Sequence, residues 1–416
     1  MNLLKTSALN GVAVLIKTAT MFILNKILAI YVGPSGYAAI GQFQNFIQMV
    51  TTFAGSAINT AVIKYTAEYH EDEHQQISVW RAAGSLVLIF SFIFSLIILI
   101  FQKQLSLYIF QTTAYQSVFV WFAAFLVLFN LNALFLAILN GKKEILKLVV
   151  ANIAGSILSL LVTGFLAVQY HLYGALIALS IYQSIAFFVT LFLCYKANWF
   201  NISYLFGKIE PHIAKKFAAF ALMALVSAVC VPLSQMVIRS YLSQEFGLNY
   251  AGYWEAMIRL SAAYLMLVTT TLGVYYLPRL SELSEIKEIK AEVYTGYKFI
   301  FPLAALGGLT VYILRDWIIA ILFTKTFLPM RDLFLWQMIG DSLKIGSWIL
   351  AYLMLSKAMT KLFITTEVIF AITSILLTYI CTQVFGFEGV SIAHLINYGA
   401  YWAVMAHFIF KKLKET

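Results

Sequence analysis

Long unbroken apolar runs dominate this chain, and Leu86–Phe101 and Val118–Leu139 are two of them. The strands of a membrane barrel alternate apolar and polar residues, which these runs do not. A helix keeps every backbone polar group satisfied in lipid, so the runs predict spanning helices. Segments long enough to cross a ~30 Å hydrocarbon core, which takes ~20 residues, fall at 7–31, 36–63, 80–102, 116–140, 147–170 and 172–195. Six more fall at 216–240, 250–277, 297–323, 333–356, 361–384 and 387–410. The expectation is an all-α polytopic membrane protein of about twelve helices.

Composition sharpens this picture. Of 416 residues, 62% are hydrophobic and 11% charged, with a mean hydropathy of +0.86. A soluble domain carries ~25% charged residues, so most side chains here face lipid or other helices. The segments are joined by short connections, the longest about twenty residues. That leaves no room for a soluble catalytic domain, and no catalytic residues are expected. The first segment holds Lys17 and Lys26 and lacks a compact apolar core with a small-residue cleavage site. It reads as a first membrane helix and not as a cleavable signal. Cys194, Cys230 and Cys381 form neither a disulfide framework nor a metal motif, and read as buried thiols. No cofactor is expected, and no nucleic acid.

Charge sets the expected orientation. With the N-terminus in the cytoplasm, nineteen of the 28 basic residues, from Lys5 to Lys414, fall on the inner side. The outer side keeps Lys103, Arg239, Arg315, Lys325 and Arg331. This is a positive-inside bias that places both termini in the cytoplasm. The basic stretch from Lys196 to Lys216 divides the segments into two sets of six, giving lobes at 1–206 and 207–416 around a central cavity. A faint echo links them. The second segment ends in Ile63-Lys64-Tyr65-Thr66-Ala67-Glu68, the eighth in Leu277-Pro278-Arg279-Leu280-Ser281-Glu282. Repeats of this kind recur in transporters.

An ionisable side chain at membrane depth is costly and calls for an explanation. Glu255 and Arg259 are four apart, on one helical face, which Thr269, Thr270 and Gly273 continue. Gln337, Asp341, Lys344, Trp348 and Tyr352 share another face. A third stripe runs through Gln42, Asn45, Gln48, Thr52, Ser56 and Asn59, and a fourth through His394, Asn397, Tyr398 and Tyr401. Lys17 and Lys26, nine apart, fall on opposite faces of a straight helix. Taken singly, each stripe reads equally as interhelical glue, with Glu255–Arg259 and Asp341–Lys344 as internal ion pairs. Together the four point to a hydrated central passage. Small residues Ser156, Ser159 and Thr163 read as close helix contacts. Pro232 falls inside a segment, where it removes a backbone hydrogen bond and predicts a kink, hinge or static bend. Pro302 is placed near the start of its helix, where proline is tolerated.

Three stretches carry a family resemblance. One is Gly33-Pro34-Ser35-Gly36 with Lys64-Tyr65 and Glu68. The second runs from Tyr253-Trp254-Glu255 through Val274-Tyr275-Tyr276-Leu277-Pro278-Arg279-Leu280-Ser281. The third is Met330-Arg331-Asp332-Leu333-Phe334 with Trp336-Gln337, Gly340-Asp341 and Lys344. The chain resembles, over its whole length, the Wzx-type flippases of the multidrug/oligosaccharidyl-lipid/polysaccharide exporter superfamily. The resemblance implies an inner-membrane transporter that carries an undecaprenyl-diphosphate-linked oligosaccharide to the periplasmic leaflet by alternating access. The cargo would be an O-antigen repeat unit or the enterobacterial common antigen precursor, lipid III. Lys17, Lys26, Arg259 and Lys344 would meet the diphosphate, and Gln42, Asn45, Asn59, Gln337 and His394 the sugars. Glu255, Asp341, Glu367 and His394 are candidates for coupling to Na+ or H+. A polysaccharide polymerase and its chain-length machinery are the implied partners.

Other readings remain. A drug or cation exporter of the same superfamily would need an anionic site, whereas basic residues within these spans match the acidic ones. A membrane polysaccharide polymerase or ligase would carry a large periplasmic loop, and no loop here is long enough. A sugar-sized open channel would dissipate the membrane gradients.

Overall fold

The computed structural model describes residues 3–283, 285–357 and 359–415, with side chains described except at 3–10, 219, 220, 267, 274, 277, 278, 281 and 410–415. The expected inner-side lysines Lys5, Lys411, Lys412 and Lys414 therefore lie outside the described side chains, as do Val274, Leu277, Pro278 and Ser281 of the second resemblance stretch.

Among the described residues the structure is helical throughout. Helix α1 spans Leu3–Tyr31 and α2 Gly33–Phe53; a 3-10 turn, Ser56–Ile58, leads to α3 at Asn59–Glu68. Then come α4 Glu73–Phe110, α5 Gln116–Gly141, α6 Ile145–Tyr195 and, after a 3-10 turn at Ile202–Leu205, α7 Pro211–Glu245. Helix α8, Leu248–Thr271, passes through a π-helical turn at Leu272–Tyr276 into α9, Leu277–Glu282. Helices α10 Ile286–Ile313 and α11 Arg315–Leu322 follow, and a 3-10 stretch at Lys325–Leu333 leads to α12, Phe334–Ser356. Helix α13, Thr360–Phe385, turns at Gly386–Glu388 into α14, Gly389–Glu415.

Local chemistry sets several of these boundaries. The side chain of Asp72 caps α4 by accepting from the Gln75 amide at 3.0 Å, satisfying a donor the first turn leaves free. At the other end Gln111 takes the left-handed conformation, φ 57°, and stops the helix. The expected segments 147–170 and 172–195 meet at His171, whose φ of 51° and ψ of −130° break α6. A Cβ on nearby Gly174 would overlap the Leu166 carbonyl, so that turn needs glycine.

The second expected segment, 36–63, is not one straight helix. It breaks at Gly55, φ 142°, and the two pieces are bent by 68°. The carbonyl freed at Ala54 accepts from Ser91 Oγ at 3.0 Å and Asn130 Nδ2 at 3.3 Å. Ser56 donates to Asn130 Oδ1 at 3.1 Å. These bonds satisfy backbone that a break in lipid would leave exposed. Pro302 also departs from expectation: α10 begins at Ile286, so this proline lies in the helix interior.

By length and hydropathy, eight runs of helix among the described residues are able to cross a membrane, or nine if the bent pair counts as one. Two of the eight, Ile145–Tyr195 and Thr360–Ile409, each cover two expected segments. The chain is an all-α, multi-pass membrane protein.

Two compact units divide the chain. One holds the residues up to Val32 together with Ala39–Pro232; the other holds Gly33–Ala38 together with the chain from Leu233. The division falls inside α7 at Pro232. The first unit packs around Trp80, Phe135, Phe187 and Phe217, with the Trp80 indole donating to Thr66 Oγ1 at 2.9 Å. In the second unit, Tyr37, Phe323, Phe327 and Phe334 are fully buried.

Candidate functional site

The second unit gathers most of the expected site residues. Helix α8 carries Glu255 and Arg259 one turn apart, and Arg259 Nε donates to Glu255 Oε1 at 2.8 Å. This is the pairing their spacing predicts. A second guanidinium completes the group: Arg239 of α7 places Nη2 at 2.5 Å from Glu255 Oε2. Arg239 is 1% exposed, a burial that charge placement did not indicate. Its guanidinium lies 5.4 Å from the Trp254 ring, and that of Arg259 lies 5.5 Å from the Tyr37 ring. Two guanidiniums thus share one carboxylate. The side chain of Arg259 is 14% exposed, more than those of Arg239 and Glu255.

Helix α12 supplies a second polar cluster. Asp341 is fully buried and accepts from Tyr264 Oη at 3.0 Å and Gln337 Nε2 at 3.2 Å, while His394 Nε2 lies 3.0 Å from its Oδ1. Gln337 in turn contacts Ser261 Oγ at 3.4 Å and accepts from Ser391 at 3.3 Å. Helices α8, α12 and α14 are thus joined through one carboxylate, as a buried charge requires. The expected Asp341–Lys344 ion pair is not made. The Asp341 oxygens are occupied by Tyr264, Gln337 and His394. The Lys344 ammonium sits instead 5.0 Å from the Trp348 ring and 5.4 Å from the Tyr398 ring, a cation–π arrangement. The α14 stripe also divides by role. His394 and Tyr398 pack together at 4.8 Å beside Asp341 and Lys344. Asn397 accepts from Thr373 at 2.7 Å and donates to the Phe370 carbonyl at 3.3 Å, and Tyr401 packs on Phe370 at 4.7 Å. Those two fasten α14 to α13.

Parts of the three stretches that carry the resemblance meet in this unit, whereas Lys64, Tyr65 and Glu68 of the first belong to the other. Gly33-Pro34-Ser35-Gly36 forms the first turn of α2, and a Cβ on Gly252 would overlap the Pro34 carbonyl. Tyr37 stacks edge-on against Phe327 at 5.2 Å, and Tyr253 reaches the same ring at 6.0 Å. Met330, Leu333 and Phe334 are buried beside them.

The first unit holds the other candidates. Lys17 is exposed, while Lys26 and Gln42 are half-buried. Asn45 is buried, and Asn59 lies beyond the break at Gly55. The bend separates Asn59 from the face of Gln42 and Asn45, and Ser56 turns to Asn130, so the expected stripe does not run as one face. Sequence reasoning missed Arg239, Ser261, Tyr264 and Ser391. Ser261 and Tyr264 stand close in sequence to Arg259, which was the available signal.

Residues 3–284 match a family described as polysaccharide biosynthesis protein. Over 371 residues the chain is 31% identical to the lipid III flippase of Escherichia coli (strain K12), with 88% of each chain covered. The lipid III flippase of Shigella flexneri matches to the same extent. The fold is similar to an inward-facing multidrug resistance MATE family transporter of the MOP superfamily, with a TM-score of 0.78 at 14% identity over 96% of each chain. It is similar also to the lipid II flippase MurJ in an inward closed conformation, with a TM-score of 0.74 at 14% identity over 98% of this chain and 87% of that one.

Proposed function

The chain belongs to the polysaccharide biosynthesis protein family, and from that premise we propose that it is a flippase for a polyprenyl-diphosphate-linked oligosaccharide. The sugar and diphosphate cross a polar passage by alternating access while the polyprenyl tail stays in lipid. At 31% identity over 88% of both chains, lipid III of the enterobacterial common antigen is the favoured cargo. The protein resides in the bacterial inner membrane with both termini in the cytoplasm, and 1–206 and 207–416 serve as its two lobes.

The observation that carries this reading is the Arg239–Glu255–Arg259 group. A cation at membrane depth is costly and needs negative or polar partners. A diphosphate offsets that cost through charge-assisted hydrogen bonds, and the planar guanidinium of Arg259 suits two phosphate oxygens at once. An organic cation would meet like charge at the same place, which argues against a drug exporter. Lys344, held against aromatic rings, and Lys17 and Lys26 are further cations for the passage, with Gln42, Asn45 and His394 meeting sugar hydroxyls, Asn59 doing so from beyond the bend, and the buried Gln337 supporting Asp341. A membrane potential negative inside favours outward movement of an anion by ~2.3 kcal/mol per charge per 100 mV. Glu255, Asp341, Glu367 and His394 are the groups for a coupling ion, Na+ or H+, and a polysaccharide polymerase with its chain-length machinery receives the product.

The test is surface polysaccharide in a strain lacking its lipid-linked oligosaccharide flippase. Wild-type protein restores it, Arg259→Gln does not, and Arg259→Lys restores it in part, all at equal membrane abundance. Full polysaccharide from the triple variant Lys17→Gln, Arg259→Gln, Lys344→Gln would sink the cationic-passage reading.

A further inference from the structure

The first unit holds a cavity whose lining includes two lysines and none of the site residues assigned above. It lies where α3 ends and where α5 turns into α6, and it is lined by Ala67, His70, Gln76, Gly141, Lys142 and Lys143. Its volume is about 180 Å³. At ~30 Å³ per water, it has room for a phosphate or diphosphate but not for an oligosaccharide. Among the described residues, no carboxylate lines it.

The cavity is built. Gln76 is 2% exposed, its amide nitrogen donating to the Thr66 carbonyl at 2.7 Å and its Oε1 accepting from Lys142 Nζ at 3.0 Å. The Lys142 ammonium rests over the Trp80 and Trp199 rings at 5.7 and 5.4 Å. The carboxylate nearest in sequence, Glu144, is engaged elsewhere: it accepts from the Trp199 indole at 2.9 Å and pairs with Lys147 at 3.3 Å. His70 Nε2 lies 3.5 Å from Glu71 Oε1. An ammonium has three donors, and Gln76 takes one of those on Lys142. Lys143 stands next to it with φ 56°, a left-handed backbone that a side-chain-bearing residue adopts at some cost. Gly141 completes the wall, since a Cβ there would press on Thr66. Immediately beyond, α6 begins with Leu146 and Val150 exposed at 57% and 42%, a surface suited to acyl chains.

From this juxtaposition of two adjacent lysines, a fixed amide and a lipid-facing helix start, we infer that the cavity binds the phosphate of an anionic lipid headgroup. Basic pockets between membrane helices recognise headgroups in this way. None of its lining residues is assigned to the proposed passage, and the inference does not depend on that passage. The phosphate comes either from a bilayer phospholipid or from a polyprenyl diphosphate waiting to be carried, and the same chemistry serves both.

The test is binding to the purified full-length chain in detergent micelles, followed by native mass spectrometry. Phosphatidylglycerol should be retained in preference to phosphatidylcholine with the same acyl chains. Lys142→Gln with Lys143→Gln should weaken phosphatidylglycerol binding by about tenfold or more. Lys142→Arg with Lys143→Arg should keep it, which separates lost charge from lost fold, and Lys361→Gln should leave it unchanged. Displacement of phosphatidylglycerol by undecaprenyl diphosphate would identify the transported lipid as the source; resistance to displacement would identify a bilayer lipid. Equal retention of phosphatidylglycerol by the double Gln variant, or no preference over phosphatidylcholine, overturns the site. So does binding of inorganic diphosphate as tight as that of the lipid. Arg259→Gln should leave this binding intact while abolishing surface polysaccharide, so failure here and failure of the flippase reading give different results.

Discussion

Arg239 of α7 and Glu255 of α8 form a buried ion pair, 2.5 Å between Nη2 and Oε2, in which neither side chain is more than 5% exposed. With Arg259 on the other carboxylate oxygen, Glu255 separates two guanidiniums that would otherwise face each other in a low-dielectric site. Glu255→Gln should therefore cost ~3–5 kcal/mol, seen as a large fall in the thermal unfolding midpoint in detergent. Replacing Arg239 and Glu255 together by leucine should recover part of that loss, because the buried charges leave as a pair. A Glu255→Gln variant as stable as wild type would remove the structural role of this group.

The Asp341 carboxylate joins three helices, so its neighbours should be energetically coupled. Tyr264→Phe removes a donor without changing shape and should cost ~1–3 kcal/mol. Asp341→Asn and His394→Gln, combined in a double-mutant cycle, should show a coupling of ~0.5–3 kcal/mol. Purely additive losses in unfolding midpoint would mean that the 3.0 Å contact between them contributes nothing.

Gly252 is the tightest test of packing. Its Cα faces the Pro34 carbonyl with no space for a further carbon, so Gly252→Ala should cost ~1–3 kcal/mol by overpacking and lower membrane abundance. Gly155→Ala, where the added carbon would meet Ala186 at 3.9 Å, should be tolerated. Equal abundance and equal stability of the two variants would contradict the packing at Pro34.

Orientation is checked by single-cysteine labelling in a background with the three native cysteines replaced. An impermeant maleimide should reach Thr113→Cys, in the turn between α4 and α5, in intact spheroplasts. It should reach His74→Cys, at the start of α4, only after the membrane is opened. The reverse pattern would invert the topology expected from the positive-inside bias.

The elements themselves were legible in the sequence because continuous apolar runs leave helices as the one spanning solution for such segments. Local pairs were legible too. Glu255 and Arg259 are one turn apart, and a four-residue spacing fixes contact. Spacing fails where a competing partner arrives from another helix. Asp341 and Lys344 are close enough to pair, yet His394 from α14 and Tyr264 from α8 take the carboxylate, and aromatic rings take the ammonium. Arg239 was hidden for the same reason: its partner is sixteen residues away on the next helix, and charge counting assigns an arginine near a helix end to the outside. The stripe from Gln42 to Asn59 assumed a straight helix. A positive φ at Gly55 bends it, and a single glycine inside an apolar run gives little warning of that.

Six residues, Gly33–Ala38, belong to the unit that otherwise begins at Leu233, and this has a consequence for how the protein is made. They leave the ribosome some two hundred residues ahead of Gly252 and Arg259, against which Pro34 and Tyr37 come to rest. Until α8 is synthesised and inserted, the fully buried Tyr37 ring has no enclosure. A cut in α7 at Pro232 yields a C-terminal fragment that lacks part of its own core. Residues 233–416 expressed alone should need the N-terminal fragment supplied in trans to complete that core.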